Sequence, residues 1–406
     1  MSHSSLRVLT FTTLFPNQEQ PAHGLFVKER ILALAKLVDL RVVAPVPWFP
    51  RVRVFGERYY RYAMVPSKEN YGGTPVDHPR FPVIPRLCKP VDGPLLAVGS
   101  LSCLRKLRNE FPFDIIDSHW AYPDGAAAAI LASRLRVPLS ITVRGDDVNV
   151  FLKQFWRRPW IRWSLGKADL VIALSREMKE MVVAAGIAPG KVAVIPNGIN
   201  SDAFYPIDRR LARAHLGLPA DGRIVLSVGR LHQSKGHQIL VEAVGRLGGK
   251  FPDLQVYIVG SPDHEADARP AILEAARRHN ILHKLHLVGP QDPAMLKYWY
   301  GAADIFCLAT SREGSANVLI EAMACGLPCV TTPVGGNPDV VSSGELGILA
   351  APDADSMTEA LDAGLSREWD SSKISGHGRH RTWQTVAMEC RDHLSSVVDF
   401  VSRTRG

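Results

Sequence analysis

Short apolar runs alternate with longer helix-patterned segments along nearly the whole chain, and that alternation is what most restricts its fold. LRVLTF (6–11) is followed by LFVKERILALAKL (25–37) and LRVVAPV (40–46). DIIDSHW (114–120), the alanine-rich GAAAAILASRL (125–135), PLSITV (138–143), ADLVIALS (168–175), a helix around 176–185 and VAVIP (192–196) continue the series. Apolar runs of this length read as strands, and a strand–helix–strand repeat builds a parallel sheet with helices on both faces. The irregular segment NGINSDAFYPIDRR (197–210) interrupts it. A second series then runs from GRIVLSVGR (222–230) through a helix near 237–247, LQVYIVG (254–260), a helix near 268–278, LHLVG (285–289), ADIFCLAT (303–310), IEAMACG (320–326), PCVTT (328–332) and GILA (347–350). The expected architecture is α/β, with two doubly wound Rossmann-like domains facing across a cleft and ligands at the carboxyl ends of the strands. Expected boundaries are 1–203 and 204–378, with a Ser/Gly-rich break at 371–378. A final helix within 379–406 is expected to pack back on the first domain.

The length of 406 residues fits two domains, and 46% hydrophobic with 22% charged residues fits a globular chain with substantial cores. No apolar run reaches the ~18–20 residues that span a bilayer. The first residues lack the architecture of a signal peptide and read as a buried strand, so a cytoplasmic location is expected. Cysteines at 88, 103, 307, 325, 329 and 390 lie in apolar surroundings and read as reduced core residues. The net charge of +8 is uneven: residues 1–200 hold 27 Lys/Arg against 16 Asp/Glu, and residues 201–406 hold 21 against 24. The basic half suggests an anionic partner, such as a phospholipid surface, a pyrophosphate-linked lipid or nucleic acid. FLKQFWRRPWIRWSLGK (151–167) interleaves aromatic rings with cations and contains no acid. It suits a membrane interface, and equally a domain helix with buried tryptophans. Nucleic-acid binding has no recognised motif behind it.

The dinucleotide fingerprint G-x-G-x-x-G, the phosphate loop G-x-x-x-x-G-K-[ST] and the nucleophile elbow G-x-S-x-G are all missing from the sequence. VGRLHQSKGHQILVEA (228–243) is present instead. It places Arg230 and Lys235 between Gly229 and Gly236 on a strand-to-helix loop. Two cations there suit a diphosphate, which Arg grips bidentately and Lys meets as a point charge; they would also suit a solvated glycine turn. SREGSANVLIEAMACGLPCV (311–330) carries Glu313 and Glu321 with seven residues between them. Glu313 falls in a loop and Glu321 inside a helix whose first amides, around Ala316 to Leu319, can receive an oxyanion. Carboxylates accept hydrogen bonds from sugar hydroxyls, so one could hold a transferred sugar and the other a ribose. The competing reading is helix-terminus stabilisation. D-A-D at 353–355 reads as an ordinary polar loop rather than a metal site.

Taken in order, VGR-x4-KG, VG (288–289) and E-x7-E followed by AMACG-x-P resemble the retaining GT-B glycosyltransferases of the group 1 type (family 4). REGSANVLIEAMACGLPCVTTPVGG (312–336) looks like that family's nucleotide-sugar signature. HGLFVKERILALAK (23–36), DIIDSHWAYPDG (114–125), ITVRGDDVN (141–149) and VIPNGIN (194–200) also look like family segments. VLTFTTLFPNQEQPAHGLFV and VVAPVPWFP (42–50) are similar to enzymes of bacterial exopolysaccharide assembly. The resemblance implies that Arg230 and Lys235 neutralise the donor diphosphate, Glu321 binds the ribose, and Glu313 with Gly314 meets the donor sugar. It further implies that the Asn317 and Val318 amides meet the phosphates, that Gly24 allows close approach to the donor, and that Gly289 lines the base pocket with its neighbours. Cation, ammonium and helix terminus together supply the charge compensation a metal provides elsewhere, so no metal and no cofactor beyond a UDP- or GDP-linked sugar is implied.

Where many relatives read HG-x-D, this chain reads Arg144-Gly145-Asp146-Asp147. Arginine does not serve as a base at physiological pH, so Arg144 implies an electrostatic role. His119 is the nearby histidine, suited to the acceptor or to a structural hydrogen bond. The implied activity is transfer of a hexose to a glycan or lipid-linked saccharide in cell-surface polysaccharide synthesis, peripheral to the inner face of the plasma membrane. The alternatives are a sugar epimerase or phosphorylase of the same fold, or a non-catalytic basic binding module.

Overall fold

The computed structural model describes residues 5–83, 89–263 and 266–405. The chain divides into two compact units, Met1–Gly198 with Trp383–Gly406, and Ile199–Thr382. The division falls at 198/199 and 382/383, rather than at 203/204 and 378/379. At the base of the second unit the entering and leaving chains run side by side: Ile199 bridges Thr382, and its N–H donates to Arg381 O at 2.9 Å.

The first unit is built on strands β1 (Arg7–Phe11), β2 (Asp39–Val43), β3 (Val46–Pro47), β4 (Lys68–Tyr71), β5 (Thr74–Asp77), β6 (Arg80–Phe81), β7 (Ile115–His119), β8 (Leu139–Thr142), β9 (Leu170–Ala173) and β10 (Val192–Val194). Eight of them form one sheet in the order β10-β9-β8-β7-β1-β2-β5-β4, parallel except for β4, while β3 pairs with β6. Because successive side chains alternate faces, Leu9, Phe11, Ile116 and Ile141 enter one core, and Val8, Val42 and Ile115 enter the other. The helices Leu25–Leu34 and Trp383–Arg405 cover that second face and bury Ile31, Leu34, Val386, Ala387 and Leu394.

That covered face has a polar strip. Thr10, Asp117 and Ser140 are register partners on neighbouring strands, His119 and Thr142 lie one pleat on, and all five are buried. Arg30 points into the same layer from its helix, 2% exposed, and donates to Cys390 Sγ at 3.0 Å. Cys307, Cys325, Cys329 and Cys390 are buried and Cys103 half-buried, all with free thiols; Cys88 lies outside the described residues.

The second unit holds β11 (Ile224–Val228), β12 (Gln255–Val259), β13 (Leu285–Gly289), β14 (Ile305–Leu308), β15 (Cys329–Thr331) and β16 (Gly347–Leu349). They form a wholly parallel sheet in the order β13-β12-β11-β14-β15-β16. This is the doubly wound Rossmann order, and its direction of winding reverses between β11 and β14. Apolar clusters fill both faces.

Two loop expectations are corrected. The Ser/Gly-rich stretch at 371–378 is not a break but the start of the helix Ser371–His380, capped by Asp370, which accepts from Lys373 N at 3.0 Å. Its small residues serve close packing. Ser375 Oγ donates to Ala324 O at 2.8 Å, and a Cβ on Gly378 would stand 2.3 Å from Ala324 N. The helix therefore lies against Asn317–Ala324, the one that carries Glu321. At 353–355, Asp353 caps the helix Ala354–Ser366 by accepting from Ser356 N at 2.8 Å, and Asp355 pairs with Arg246. A helix-forming stretch without a sequence expectation, Asp92–Glu110, covers the Leu9 face. Among the described residues, no helix is long and apolar enough to cross a membrane.

Gly378→Val should lower the urea midpoint by an amount equivalent to roughly 2–3 kcal/mol or more, because the new side chain has no room against the neighbouring backbone. Gly376→Ala, where a Cβ meets nothing within 4 Å, should be neutral or stabilising by up to ~1 kcal/mol.

Candidate active site

The carboxyl ends of β11 and β14 meet at the winding reversal of the second sheet, the place where such sheets bind ligands. The loop after β11 carries Arg230 and Lys235, and the loop after β14 carries Glu313. Gly236 joins them. It takes a left-handed conformation (φ 69°), and a Cβ there would stand 1.9 Å from Ala309 O. Without one the two loops touch: Ser311 N and Thr310 Oγ1 each donate to Ser234 O at 2.9 Å. That contact brings Lys235 Nζ onto Glu313 Oε1, an ion pair with side chains 23% and 9% exposed. Gly335 packs beneath Glu313, where a Cβ would stand 2.2 Å from the Glu313 carbonyl oxygen.

Arg230 reaches further into solvent and is paired through Nη1 with Asp263 Oδ2 at 3.0 Å. Its carbonyl is braced from inside by His237. That imidazole is buried, with Nε2 on Arg230 O at 3.2 Å and Nδ1 on Ser227 Oγ at 3.1 Å. A carbonyl only accepts, so Nε2 carries the proton. Burial pushes His237 down to about 4, so it stays neutral.

Glu321 lies in the second turn of the helix Asn317–Ala324, 6% exposed. It accepts a hydrogen bond from Tyr300 Oη at 2.8 Å. Burial raises its carboxyl to about 7, with the tyrosine bond opposing. Glu321 is thus held within the unit rather than displayed at the surface. Gly314, next to Glu313 in the chain, is buried. At the helix start, the Asn317 N–H donates to Ser315 O and the Leu319 N–H to Ala316 O, each at 3.0 Å. Among the described residues, the Val318 N–H has no backbone acceptor. Gly289 ends β13 with φ 81°, and its carbonyl accepts from Gly260 N at 3.0 Å.

The candidate residues of the first unit form a separate group. Gly24 starts the helix Leu25–Leu34 in a left-handed conformation, and its close neighbour is Leu14 O, 2.3 Å from where a Cβ would stand. His119 is 1% exposed. Its Nδ1 accepts from Arg144 Nη2 at 2.8 Å, and its Nε2 faces Asp117 Oδ2 at 3.2 Å. Burial, reinforced by the Arg144 charge, pushes His119 down to about 4. Burial, with Arg30 adding to it, lowers Arg144 to about 9, which leaves it cationic at neutral pH. The imidazole is therefore neutral and turned into the unit, with Nδ1 hydrogen-bonded to Arg144 and Nε2 near Asp117 but, among the described residues, without a hydrogen bond. Asp147, two residues past Gly145, accepts from the amides of Arg144, Gly145 and Ala121 at 2.8–3.1 Å and fixes the turn.

Sequence reading had not singled out Tyr300, His237 or Asp263. The usable signal lay in position: His237 and Asp263 follow the carboxyl ends of β11 and β12.

Together, a Rossmann-ordered sheet and a second doubly wound sheet define the GT-B fold. Sucrose-phosphate synthase from Thermosynechococcus elongatus shares it with a TM-score of 0.75 at 22% identity, over 97% of this chain and 99% of that one. Anabaena HepE, solved with UDP, does so with a TM-score of 0.73 at 18% identity, over 96% and 100%. Residues 222–367 match the family described as glycosyl transferases group 1, and residues 32–203 match glycosyltransferase family 4. A D-inositol 3-phosphate glycosyltransferase of Streptomyces bingchenggensis is 33% identical over 318 residues, 72% of this chain and 69% of that protein. TuaC, a Bacillus subtilis glycosyltransferase named for teichuronic acid biosynthesis, is 28% identical over 368 residues, 88% of each chain. The chain belongs to the group 1 glycosyltransferases.

The raised Glu321 carboxyl has a measurable consequence. Its proton is held more tightly in the folded state than in the unfolded one, so its contribution to stability is full below pH ~4.5 and is lost as pH rises to about 7. In nucleotide-free protein, Glu321→Gln should therefore gain on the wild type across that window by roughly 3 kcal/mol at most, read as the difference between their unfolding midpoints against pH. A gap that does not change with pH would refute the assignment.

Proposed function

We propose that the chain transfers a hexose from a nucleoside diphosphate sugar to a glycan or lipid-linked saccharide, with the anomeric configuration retained, in cell-surface polysaccharide synthesis. The observation that carries this reading is the meeting of Arg230, Lys235 and Glu313 on two touching loops at the winding reversal of the second sheet. A pyrophosphate has charge for the two cations, and a sugar has hydroxyls for the carboxylate. Arg230 and Lys235 would neutralise the charge that builds on the departing diphosphate, which stabilises the transition state more than the ground state. Glu313, released from Lys235 as the diphosphate takes its place, would accept from a donor hydroxyl. Glu321 would turn from Tyr300 to the ribose. No metal enters this reading.

HepE structures hold UDP, UDP with glucose, and UDP-glucose, which supports a nucleotide-sugar donor. TuaC's name supports a polysaccharide product. Work at the anionic inner face of a membrane is supported by the basic first half and by 151–167. There Ile161 and Leu165 are buried, but Phe155 is 86% exposed among Lys153, Arg157 and Arg158. None of the segment's aromatics is buried: Phe151 and Trp160 pack partly against the core, and Phe155 and Trp163 are exposed.

Thermal unfolding against a panel of UDP, GDP and ADP tests the donor site. One nucleotide should raise the midpoint at millimolar concentration, because a ligand that binds only the folded state stabilises it by mass action. Lys235→Ala should abolish or sharply reduce that shift. No shift with any of the three in folded protein would overturn the reading.

A further inference from the structure

Arg230 stands on an exposed loop with 65% of its side chain in solvent, yet its guanidinium is not adrift. Nη1 is tied to Asp263, whose side chain is 7% exposed. Among the described residues the guanidinium makes no other hydrogen bond. Asp263 is itself fixed from behind, since Oδ1 accepts from Ala266 N at 3.2 Å.

The loop that bears Asp263 is docked along the loop that bears Arg230. Leu231 N donates to Ser261 O at 2.9 Å, Gln233 N to Ala266 O at 3.0 Å, and Ala268 N to Leu231 O at 2.8 Å. The two backbones touch where a Cβ on Gly260 would stand 1.8 Å from Gly229 O, so only glycine fits there. The carboxylate is thus held by hydrogen bonds of its own loop, and the more exposed arginine is fastened to it. The second pair of the site is built differently, because Glu313 is itself a candidate ligand for the donor.

We propose that Asp263 is a positioning residue for Arg230: it holds one corner of the guanidinium and leaves the remaining N–H groups aimed outward for the donor pyrophosphate. This rests on the donor-site reading above. An arginine held in one geometry forfeits less side-chain freedom when phosphate arrives. The carboxylate also repels the incoming anion, but its charge is already matched by the guanidinium it holds at 3.0 Å, so the phosphate meets an ion pair rather than a bare carboxylate. Positioning therefore outweighs repulsion.

The test is calorimetric titration with UDP and with GDP of the wild type, Asp263→Ala, Asp263→Asn, Arg230→Ala and the Asp263→Ala/Arg230→Ala double variant. For whichever nucleotide binds, Asp263→Ala should raise Kd on the order of tenfold. Asp263→Asn, which keeps an acceptor oxygen, should recover most of the loss. In the Arg230→Ala background, Asp263→Ala should change nothing further, because the arginine it positions is gone. Tighter binding by Asp263→Ala would overturn the proposal and make the carboxylate a competitor. Equal losses in both backgrounds would overturn it in favour of general damage to the loop. If Arg230→Ala weakens binding and Asp263→Ala does not, Asp263 alone is misassigned. If Arg230→Ala binds like the wild type, the donor-site reading falls, and this proposal with it.

Discussion

The second unit turns on one missing side chain. Gly236 lies so close to the carbonyl of Ala309 that any Cβ would overlap it, and its φ of 69° is strained for other residues. Through this contact the loop after β11 seats on the loop after β14, and Ser234 O becomes the acceptor for both Ser311 N and Thr310 Oγ1. Lys235 immediately precedes the glycine and Glu313 follows the receiving loop. The ion pair between residues 78 apart in sequence is therefore a consequence of backbone packing. The Rossmann order makes the contact available, because β11 and β14 are neighbours only at the reversal.

The first unit solves a different problem. A sheet covered by two helices would ordinarily present apolar residues to them, yet Thr10, Asp117, His119, Ser140 and Thr142 face Arg30, Arg144 and Cys390. Buried ionic groups are tolerated when each charge has a partner, and costly when one partner is removed. Here a neutral His119 sits between the Arg144 cation and the Asp117 carboxylate. Arg144 therefore has a local role: its guanidinium supplies a donor to a buried imidazole, and Asp147 fixes the turn that delivers it. Replacing it would disturb this layer first, so a loss of activity at position 144 carries meaning only beside a stability measurement.

The central strands of both sheets were legible because they are buried and read as apolar runs, whereas β4 (KENY) and β5 (TPVD), at one edge of the first sheet, are polar and partly exposed and were not. What was not legible depended on contacts remote in sequence. Ser371–His380 looked like a break, since Ser and Gly disfavour helices in isolation. Its reason to be helical is the neighbouring backbone at Ala324, which nothing larger than glycine can approach at position 378. Arg230, Lys235, Glu313 and Glu321 stood out by type and spacing, but their present partners did not. Asp263 is 33 residues from Arg230, and Tyr300 is 21 from Glu321. His119 read as suited either to the acceptor or to a structural hydrogen bond, and only the register of β7 with β8 places its ring in the sheet's polar layer beside Arg144.

These pairings bear on how the site handles charge. Without a ligand, Arg230 and Lys235 are each matched by a carboxylate, and Glu321 holds its proton near neutrality beside Tyr300. Such a site carries little net charge of its own. A diphosphate bound as proposed would exchange for existing partners rather than fill an unpaired field, so part of its attraction to the cations would go into releasing Glu313. On the proposed reading that exchange would couple the two halves of the donor, since phosphate on Lys235 would free the carboxylate proposed to meet the sugar. Truncating Lys235 would remove the cation that pairs with Glu313, 9% exposed, which costs stability as well as any phosphate contact. The loss of binding in such a variant then contains two terms. Glu313→Gln, which keeps the shape and removes the charge, separates the pairing from the phosphate contact.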